Sequence, residues 1–427
     1  MPIDRSVMRA VLLSQYFPPE TVEYADDLAR HLAGEGHQVT VITGYPNWPS
    51  GEFADGYDPS GISTESIDGF EVVRVPIRAG ELHRTTGRIR NYLSFAASSL
   101  RARRHIREAD VVYVYATPLT ASTAALFGRL LDRVPFVLHV QDVWPESVTE
   151  SRFLSDGPTR RIAHRLLDWY ARWNYALAAQ VVVIAPSMNR LLQSRGARPD
   201  QLTTLFNWAD EATVPRSAPD PNGPRTFLYA GNLGAFQDLD TLIGAFNDLA
   251  DAPDHQLLIA GSGTEEQRLR ELAAGNPRIH FLGRLSQADL AAYYERAHFH
   301  LVTLKNLEIF TGTIPSKFQS AMCAGAPVIT TVPGDLTEIV ETNRVGLTAA
   351  AEDRTSLAQT FRRAIQMPAS EVAELARNAR TFYEESMSRA QGVNTIEDLL
   401  QAAATTRPAA TRTTSTPRTS TAPAPAA

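Results

Sequence analysis

Lysine is nearly missing from this chain: of 41 basic residues only Lys305 and Lys317 are lysines, and the rest are arginines. Cysteine is scarcer still. The single Cys323 excludes an intrachain disulfide and fits a reducing compartment. It lies in the apolar run 321–324 and reads as a small core residue. No window approaches the roughly 18 uncharged apolar residues of a membrane-spanning helix. The first residues carry charges and lead straight into an apolar strand, without the longer apolar core and cleavage site of a secretory leader. The expectation is a cytoplasmic protein, with attachment at the inner face of the cell membrane left open. A net charge of -6 gives no sign of a nucleic-acid binder.

A length of 427 residues suits two domains, with an apolar fraction of 44% and a charged fraction of 21% ordinary for a globular protein. Short apolar runs alternate with helical patterns, which predicts βα units and parallel sheets. Strands are predicted at 10–13, 38–43, 72–75, 111–115, 136–140, 181–184 and 203–205, then at 226–230, 257–260, 279–282, 299–304 and 328–331. Helices are predicted at 24–36, 239–249 and 264–274. Four prolines, Pro215, Pro219, Pro221 and Pro224, mark a linker at 209–224 between a first domain, 1–208, and a second, 225–385. Residues 402–427 hold only Ala, Thr, Pro, Ser and Arg and are expected to be disordered.

Three segments carry chemistry. In Tyr229-Ala230-Gly231-Asn232-Leu233-Gly234-Ala235-Phe236-Gln237 a strand ends in Gly231, Gly234 offers unusual backbone angles, and the helix that follows is a seat for phosphate. In 312–325, Gly312 and Thr313 precede a helix start, Pro315 suits its first turn, and Ser316 and Lys317 supply a hydroxyl and a cation. A lysine is a compact point charge suited to a phosphate that moves during reaction. In the first half, the strand 136–140 ends in Gln141-Asp142-Val143-Trp144-Pro145-Glu146-Ser147. Ligands of open α/β sheets gather at such carboxyl ends, so His139, Gln141, Asp142 and Glu146 are candidates to meet a sugar.

These segments resemble glycosyltransferase family 4, and more narrowly the colanic-acid and O-antigen type transferases of bacterial surface polysaccharide assembly. Also matching are Tyr16-Phe17-Pro18-Pro19-Glu20, Gly44-Tyr45-Pro46-Asn47-Trp48-Pro49-Ser50-Gly51 and Asn207-Trp208-Ala209-Asp210. The resemblance implies an α/β fold of GT-B type: two Rossmann-like domains with parallel sheets facing a central cleft, and a helix at 386–401 returning to the first domain. It implies a nucleotide-sugar donor on the second domain, a saccharide or lipid-linked acceptor on the first, retention of anomeric configuration, and no metal or other cofactor. Donor binding would fall to Gly231, Asn232, Gly234, Gln237, Gly312, Thr313, Ser316, Lys317 and Ser320. Catalytic roles would fall to Lys317, Asp142 and His139, and the acceptor side to Gln141, Asp142 and Glu146.

The sequence also departs from that family. A loop that is rich in glycine in relatives reads Thr21-Val22-Glu23-Tyr24 here. Ser320 stands where relatives usually keep a ribose-binding glutamate, and a charged hydrogen bond to a ligand is worth about 1.5–3 kcal/mol. Asn232 and Gln237 replace Arg and Lys of the wider family, which leaves Lys317 as the cation for the diphosphate. Between Arg84 and Arg107 lie seven arginines and no acidic residue, with Tyr92, Leu93, Phe95 and Leu100 among them. That pattern suits peripheral contact with an anionic membrane, and 160–175, with Trp169, Tyr170 and Trp173, is a second candidate. Two other readings stay open: a non-catalytic relative that binds saccharide or protein, and a nucleotide-sugar epimerase. A nicotinamide enzyme fits poorly, since Gly261-Ser262-Gly263-Thr264-Glu265-Glu266 holds only part of the dinucleotide fingerprint.

Overall fold

Alternating β and α elements fill the computed structural model, which describes residues 7–20, 23–82, 84–144, 158–221, 223–249, 251–252 and 254–408. The chain divides into two compact units, Met1–Gln180 with Glu397–Ala427, and Val181–Ile396.

The first unit contains β1 (Arg9–Ser14), α1 (Glu23–Gly34), β2 (Gln38–Gly44), β3 (Ser63–Ile67), β4 (Phe70–Val75), α2 (Thr85–Ser99), α3 (Arg103–Glu108), β5 (Val111–Ala116), α4 (Thr123–Asp132), β6 (Phe136–Val140) and α5 (Pro158–Leu177). Its strands follow the order β3-β4-β2-β1-β5-β6, parallel except for β3 against β4. β5 and β6 are buried along their whole length, which is why they read as unbroken apolar runs rather than alternating ones. β3 escaped prediction because it is polar and half exposed, so neither apolar runs nor alternation marked it.

The second unit starts within β7 (Gln180–Val183) and continues through α6 (Pro186–Ser194) and β8 (Leu202–Thr204), which is parallel to β7. Then come β9 (Arg225–Ala230), α7 (Leu239–Asn247), β10 (His255–Ala260), α8 (Glu266–Ala273), β11 (Ile279–Gly283), α9 (Gln287–Arg296), β12 (Phe299–Val302), α10 (Ser316–Ala324), β13 (Val328–Thr330), α11 (Asp335–Thr342), β14 (Gly346–Thr348), α12 (Arg354–Gln366) and α13 (Ala369–Phe382). Their sheet is parallel throughout, in the order β11-β10-β9-β12-β13-β14. The Phe227 ring packs edge-on to Phe361 at 4.9 Å and stacks on Phe299 at 5.9 Å, joining sheet and helix in one core. β14 was missed because three residues carry no period.

The last helix, α14 (Arg389–Thr405), enters the first unit at Glu397. Glu397 is wholly buried there; its carboxylate lies 2.7 Å from His31 Nε2 and 3.2 Å from His37 Nε2. The His37 Nδ1 accepts from the Met8 N–H, so its other nitrogen carries the proton that faces Glu397. The expected disorder from residue 402 is corrected: the helix runs to Thr405, Ala403 and Ala404 are buried, and Arg407 donates to the carbonyls of Ala109 and Arg107. Alanine is the best helix former, and a short side chain suffices against a close neighbour. Residues 409–427 lie outside the described residues.

Candidate functional site

Gly231 follows β9 directly with φ +155, and a Cβ there would lie 2.4 Å from the Cε of Lys317. The bare backbone is therefore what lets the lysine of α10 lie across the end of β9. Its Nζ donates to Gln237 Oε1 at 2.7 Å and sits 5.0 Å from the centre of the Tyr229 ring. The Tyr229 hydroxyl lies 2.7 Å from the Asn232 carbonyl and 3.0 Å from the same Gln237 oxygen. Burial pushes the Lys317 ammonium down to about 8. Desolvation and a ring face thus surround a cation anchored on an amide oxygen, a setting in which an anionic ligand gains more than it would in water.

The remaining donor candidates divide. Pro315 caps α10 from just outside, Ser316 opens the helix and is exposed, and Gly325 closes it in the left-handed region at φ +69. The first N–H groups of a helix have no partner within it, and Ser316 and Lys317 are the first two residues of α10. Gly312 is tightly packed, since a Cβ there would meet Ser187 Oγ at 2.5 Å. The Thr313 N–H is committed to the Phe310 carbonyl at 3.0 Å. Ser320 is bonded to the Tyr294 hydroxyl and lines a cavity of about 150 Å³ with Asp210, Thr213 and Gln287. Gln319 is buried and turned to the Ile314 carbonyl, so it does not replace a glutamate at 320.

Two expectations need correction. Gly234 is not among the residues of positive φ, and a Cβ there would meet only the movable end of the Asn232 side chain. The start of α7 is met by the buried Asp238, whose carboxyl is raised to about 6 by burial. A carboxyl already at that helix end opposes an anion there, so the start of α7 is a poor phosphate seat. The partial dinucleotide fingerprint also finds its reason. A Cβ on Gly261 would fall 1.8 Å from the Gly231 carbonyl oxygen, and one on Gly263 would fall 2.4 Å from that of Leu233. Those glycines let two loops pack closely.

In the first unit the strand ends gather a second group. His139 is wholly buried, and both ring nitrogens are used, Nδ1 at 2.7 Å from the Tyr113 hydroxyl and Nε2 at 3.0 Å from Gln141 Nε2. Burial holds its pKa down at about 3, so the ring is neutral. It therefore orients Gln141 and is closed to a substrate. Asp142 opens to the surface, yet the surrounding protein raises its carboxyl above the usual range, and its charge acts on Tyr92 and Tyr115. Tyr16 bonds to Tyr92, lies 5.7 Å from Trp48, and senses Arg88. Trp48 stays 43% exposed. Its loop is held from beneath, because the buried Glu20 accepts the N–H groups of Asn47 and Trp48, both at 2.8 Å. Tyr24 stacks on Tyr115 at 6.0 Å.

In the sequence Tyr16 and Trp48 stand only as motif letters, and nothing there marks Tyr92 and Tyr115 as neighbours of Asp142, or Arg88 as a neighbour of Tyr16 and Tyr92. No spacing signal joins them, since α2 and three strand ends meet only in the fold. Glu146, Thr21 and Val22 lie outside the described residues, as does the side chain of Glu23. Within the arginine run, Phe95 and Ile106 are buried while Leu93 is 57% exposed. Among the described residues no helix is long and apolar enough to cross a membrane, and no three His, Cys, Asp or Glu side chains converge to hold a metal.

Comparison with known proteins gives this architecture a place. Residues 21–208 match the family model of the glycosyl transferase 4-like domain, and 224–367 match that of glycosyl transferases group 1. The chain is 24% identical over 411 residues to the colanic acid biosynthesis glycosyl transferase WcaI of Escherichia coli K12, spanning 91% of this chain and 100% of that protein. It is 25% identical over 308 residues to the glycosyltransferase WbjE of Pseudomonas aeruginosa, spanning 69% of this chain and 76% of that protein. In fold it is similar to sucrose-phosphate synthase from Thermosynechococcus elongatus, at a TM-score of 0.66 and 17% identity over 92% of this chain and 98% of that one. Anabaena HepE in complex with UDP gives a TM-score of 0.64 at 15% identity, over 92% of this chain and 100% of that one. With both halves matched in order, the chain belongs to the glycosyltransferases of GT-B fold, family 4 type.

Proposed function

We propose that this protein moves a sugar from a nucleoside-diphosphate donor to a saccharide acceptor carried on a lipid, in the assembly of cell-surface polysaccharide. The observation that carries the reading is the Lys317 ammonium, set over Gly231 and anchored on Gln237, beside the open start of α10. A diphosphate leaving group gains negative charge as the glycosidic bond breaks. Lys317 and the N–H groups at the start of α10 meet that charge without having to reorganise. Asp142, with Gln141 positioned by His139, orients hydroxyls of the acceptor. Transfer proceeds with retention on the face the diphosphate leaves, and neither a metal nor a protein nucleophile takes part. The acceptor is met at the inner face of the cell membrane, and the arginines between Arg84 and Arg107 contribute to that contact.

A panel of nucleotide sugars, offered with and without a lipid-linked saccharide, tests the reaction. Turnover of one donor that requires the saccharide supports it. No turnover of any donor, together with no heat of binding for any, sinks it. Ser320, bonded to Tyr294 where a ribose-binding glutamate is expected, favours a second reading: a protein that binds saccharide or a partner without catalysis. Product formed in the absence of any acceptor points instead to an epimerase.

A further inference from the structure

Helix faces that meet water are normally polar. α5 breaks this along one stripe. Ile162, Leu166, Trp169 and Trp173 recur at helical spacing, and all are exposed, Leu166 by 62% and Trp169 by 58%. The opposite side is core, with Ala171, Asn174 and Tyr175 fully buried. The Tyr170 hydroxyl lies 2.9 Å from Ser122 Oγ and 3.0 Å from Thr123 Oγ1, which ties α5 to the start of α4. α4 shows the same inversion: Ala124, Ala125 and Leu126 face inward, while Phe127, Leu130 and Leu131 are exposed. A lone exposed leucine needs no explanation. Apolar stripes on two packed neighbours mark a surface that something covers.

Charge says what covers it. The chain as a whole is acidic at -6, yet α5 holds four arginines against the single acid Asp168. Asp168 is paired with Arg172 at 2.7 Å, and the one acid of α4, Asp132, with Arg103 at 2.7 Å. Arg161 and Arg165 are exposed beside the stripe. A second copy of this chain would set those arginines against themselves. An anionic bilayer sets them against phosphate, and the tryptophan pair, 5.5 Å apart, suits the headgroup region. We propose that the exposed faces of α4 and α5 form a docking surface for a bilayer rich in anionic lipid. Leu131, Leu166 and Trp169 enter the interface, and Arg161 and Arg165 meet headgroup phosphates. The inference deepens the lipid-linked acceptor reading and rests on it for its purpose, though the surface itself stands on exposure and charge. It puts the apolar contact on α4 and α5 rather than on the run from Arg84 to Arg107.

The full chain is floated with vesicles of phosphatidylcholine alone and of phosphatidylcholine with phosphatidylglycerol. Flotation is expected with the anionic vesicles only, reversed by salt, with a blue shift of tryptophan emission. In Leu131→Ser/Leu166→Ser/Trp169→Ser the changes are all on the surface, so circular dichroism and UDP affinity stay those of the parent. Flotation falls about tenfold or more. The pair Arg101→Gln/Arg104→Gln serves as the comparison. Flotation lost in that pair and kept in the triple variant overturns the placement and leaves membrane contact standing. A parent that does not float overturns both. A dimer of the parent that the triple variant dissolves, without flotation, makes the face a contact between copies and overturns the proposal. A parent that floats but transfers no sugar supports this surface and counts against the reaction alone.

Discussion

A methyl group on residue 231 would stand 2.4 Å from the Cε of Lys317, so Gly231→Ala should push the ammonium off Gln237. Losing one charge-assisted contact costs about 1.5–3 kcal/mol, so affinity for the donor's nucleoside diphosphate, by calorimetry, should fall about tenfold to a hundredfold. Lys317→Met should lose a similar amount. If both act on one cation, adding Gly231→Ala to Lys317→Met costs little more, and additive losses would mean that the glycine serves the ligand by another route. The ammonium also sets a pH dependence. Its pKa near 8 in the free protein means that affinity is flat on the acid side and falls as pH rises through about 8. Lys317→Met should remove that slope. Folding has the opposite sign: the unfolded chain keeps the proton up to 10.5, so burying this lysine adds stability as pH rises from about 8 toward 10.5. Position 320 offers a gain instead of a loss. Ser320→Glu gives up one bond to Tyr294, worth about 1 kcal/mol, and has about 150 Å³ of cavity to enter. The donor's nucleoside diphosphate should bind more tightly, and an unchanged affinity would place the ribose elsewhere.

Elements, more than residues, were legible in the sequence. β5 and β6 announced themselves as apolar runs because both of their faces are covered, and α10 did so because Pro315 and Gly325 bracket it. β3 and β14 gave no signal, being polar or three residues long. Lys317 and Gly231 were readable as candidates, but their contact was not, since β9 and α10 come together only through sheet pairing. Asp142 was readable for the same reason as β6, standing at the end of its run. Its aromatic neighbours were not, because α2 brings Tyr92 to it from fifty residues away by the chain. The last helix was placed by resemblance, and what holds it was invisible: a glutamate in an unremarkable helical stretch proves to be wholly buried between His31 and His37. Glu397→Ala would leave buried donors without an acceptor, so we expect a loss of about 2–5 kcal/mol in chemical denaturation. Hydrogen exchange should speed up in α14 and α1 before other elements. Uniform exchange across the chain would mean that Glu397 supports the whole core rather than this helix.

At the scale of the whole molecule the two units carry different halves of the proposed chemistry, and each half can be removed separately. Lys317, Gln237 and Ser320 belong to the second unit, while Asp142, Trp48, Tyr16 and Tyr92 belong to the first. Sugars stack on aromatic faces, and Trp48 keeps a large exposed face on a loop that Glu20 holds rigid. Trp48→Ala removes that face without opening the core, and Asp142→Asn removes a charge without changing shape. Both variants should leave affinity for the donor's nucleoside diphosphate and the slow hydrolysis of the donor by water near parental values, because both substituted residues belong to the first unit. Transfer to the saccharide should fall, through KM for Trp48→Ala and through kcat for Asp142→Asn, by about tenfold or more in each case. Lys317→Met should lower hydrolysis and transfer together, since both break the same bond to the diphosphate. Transfer and hydrolysis falling in step in Asp142→Asn would assign that carboxylate to the donor, and the division of labour between the two units would then be wrong at its most polar residue.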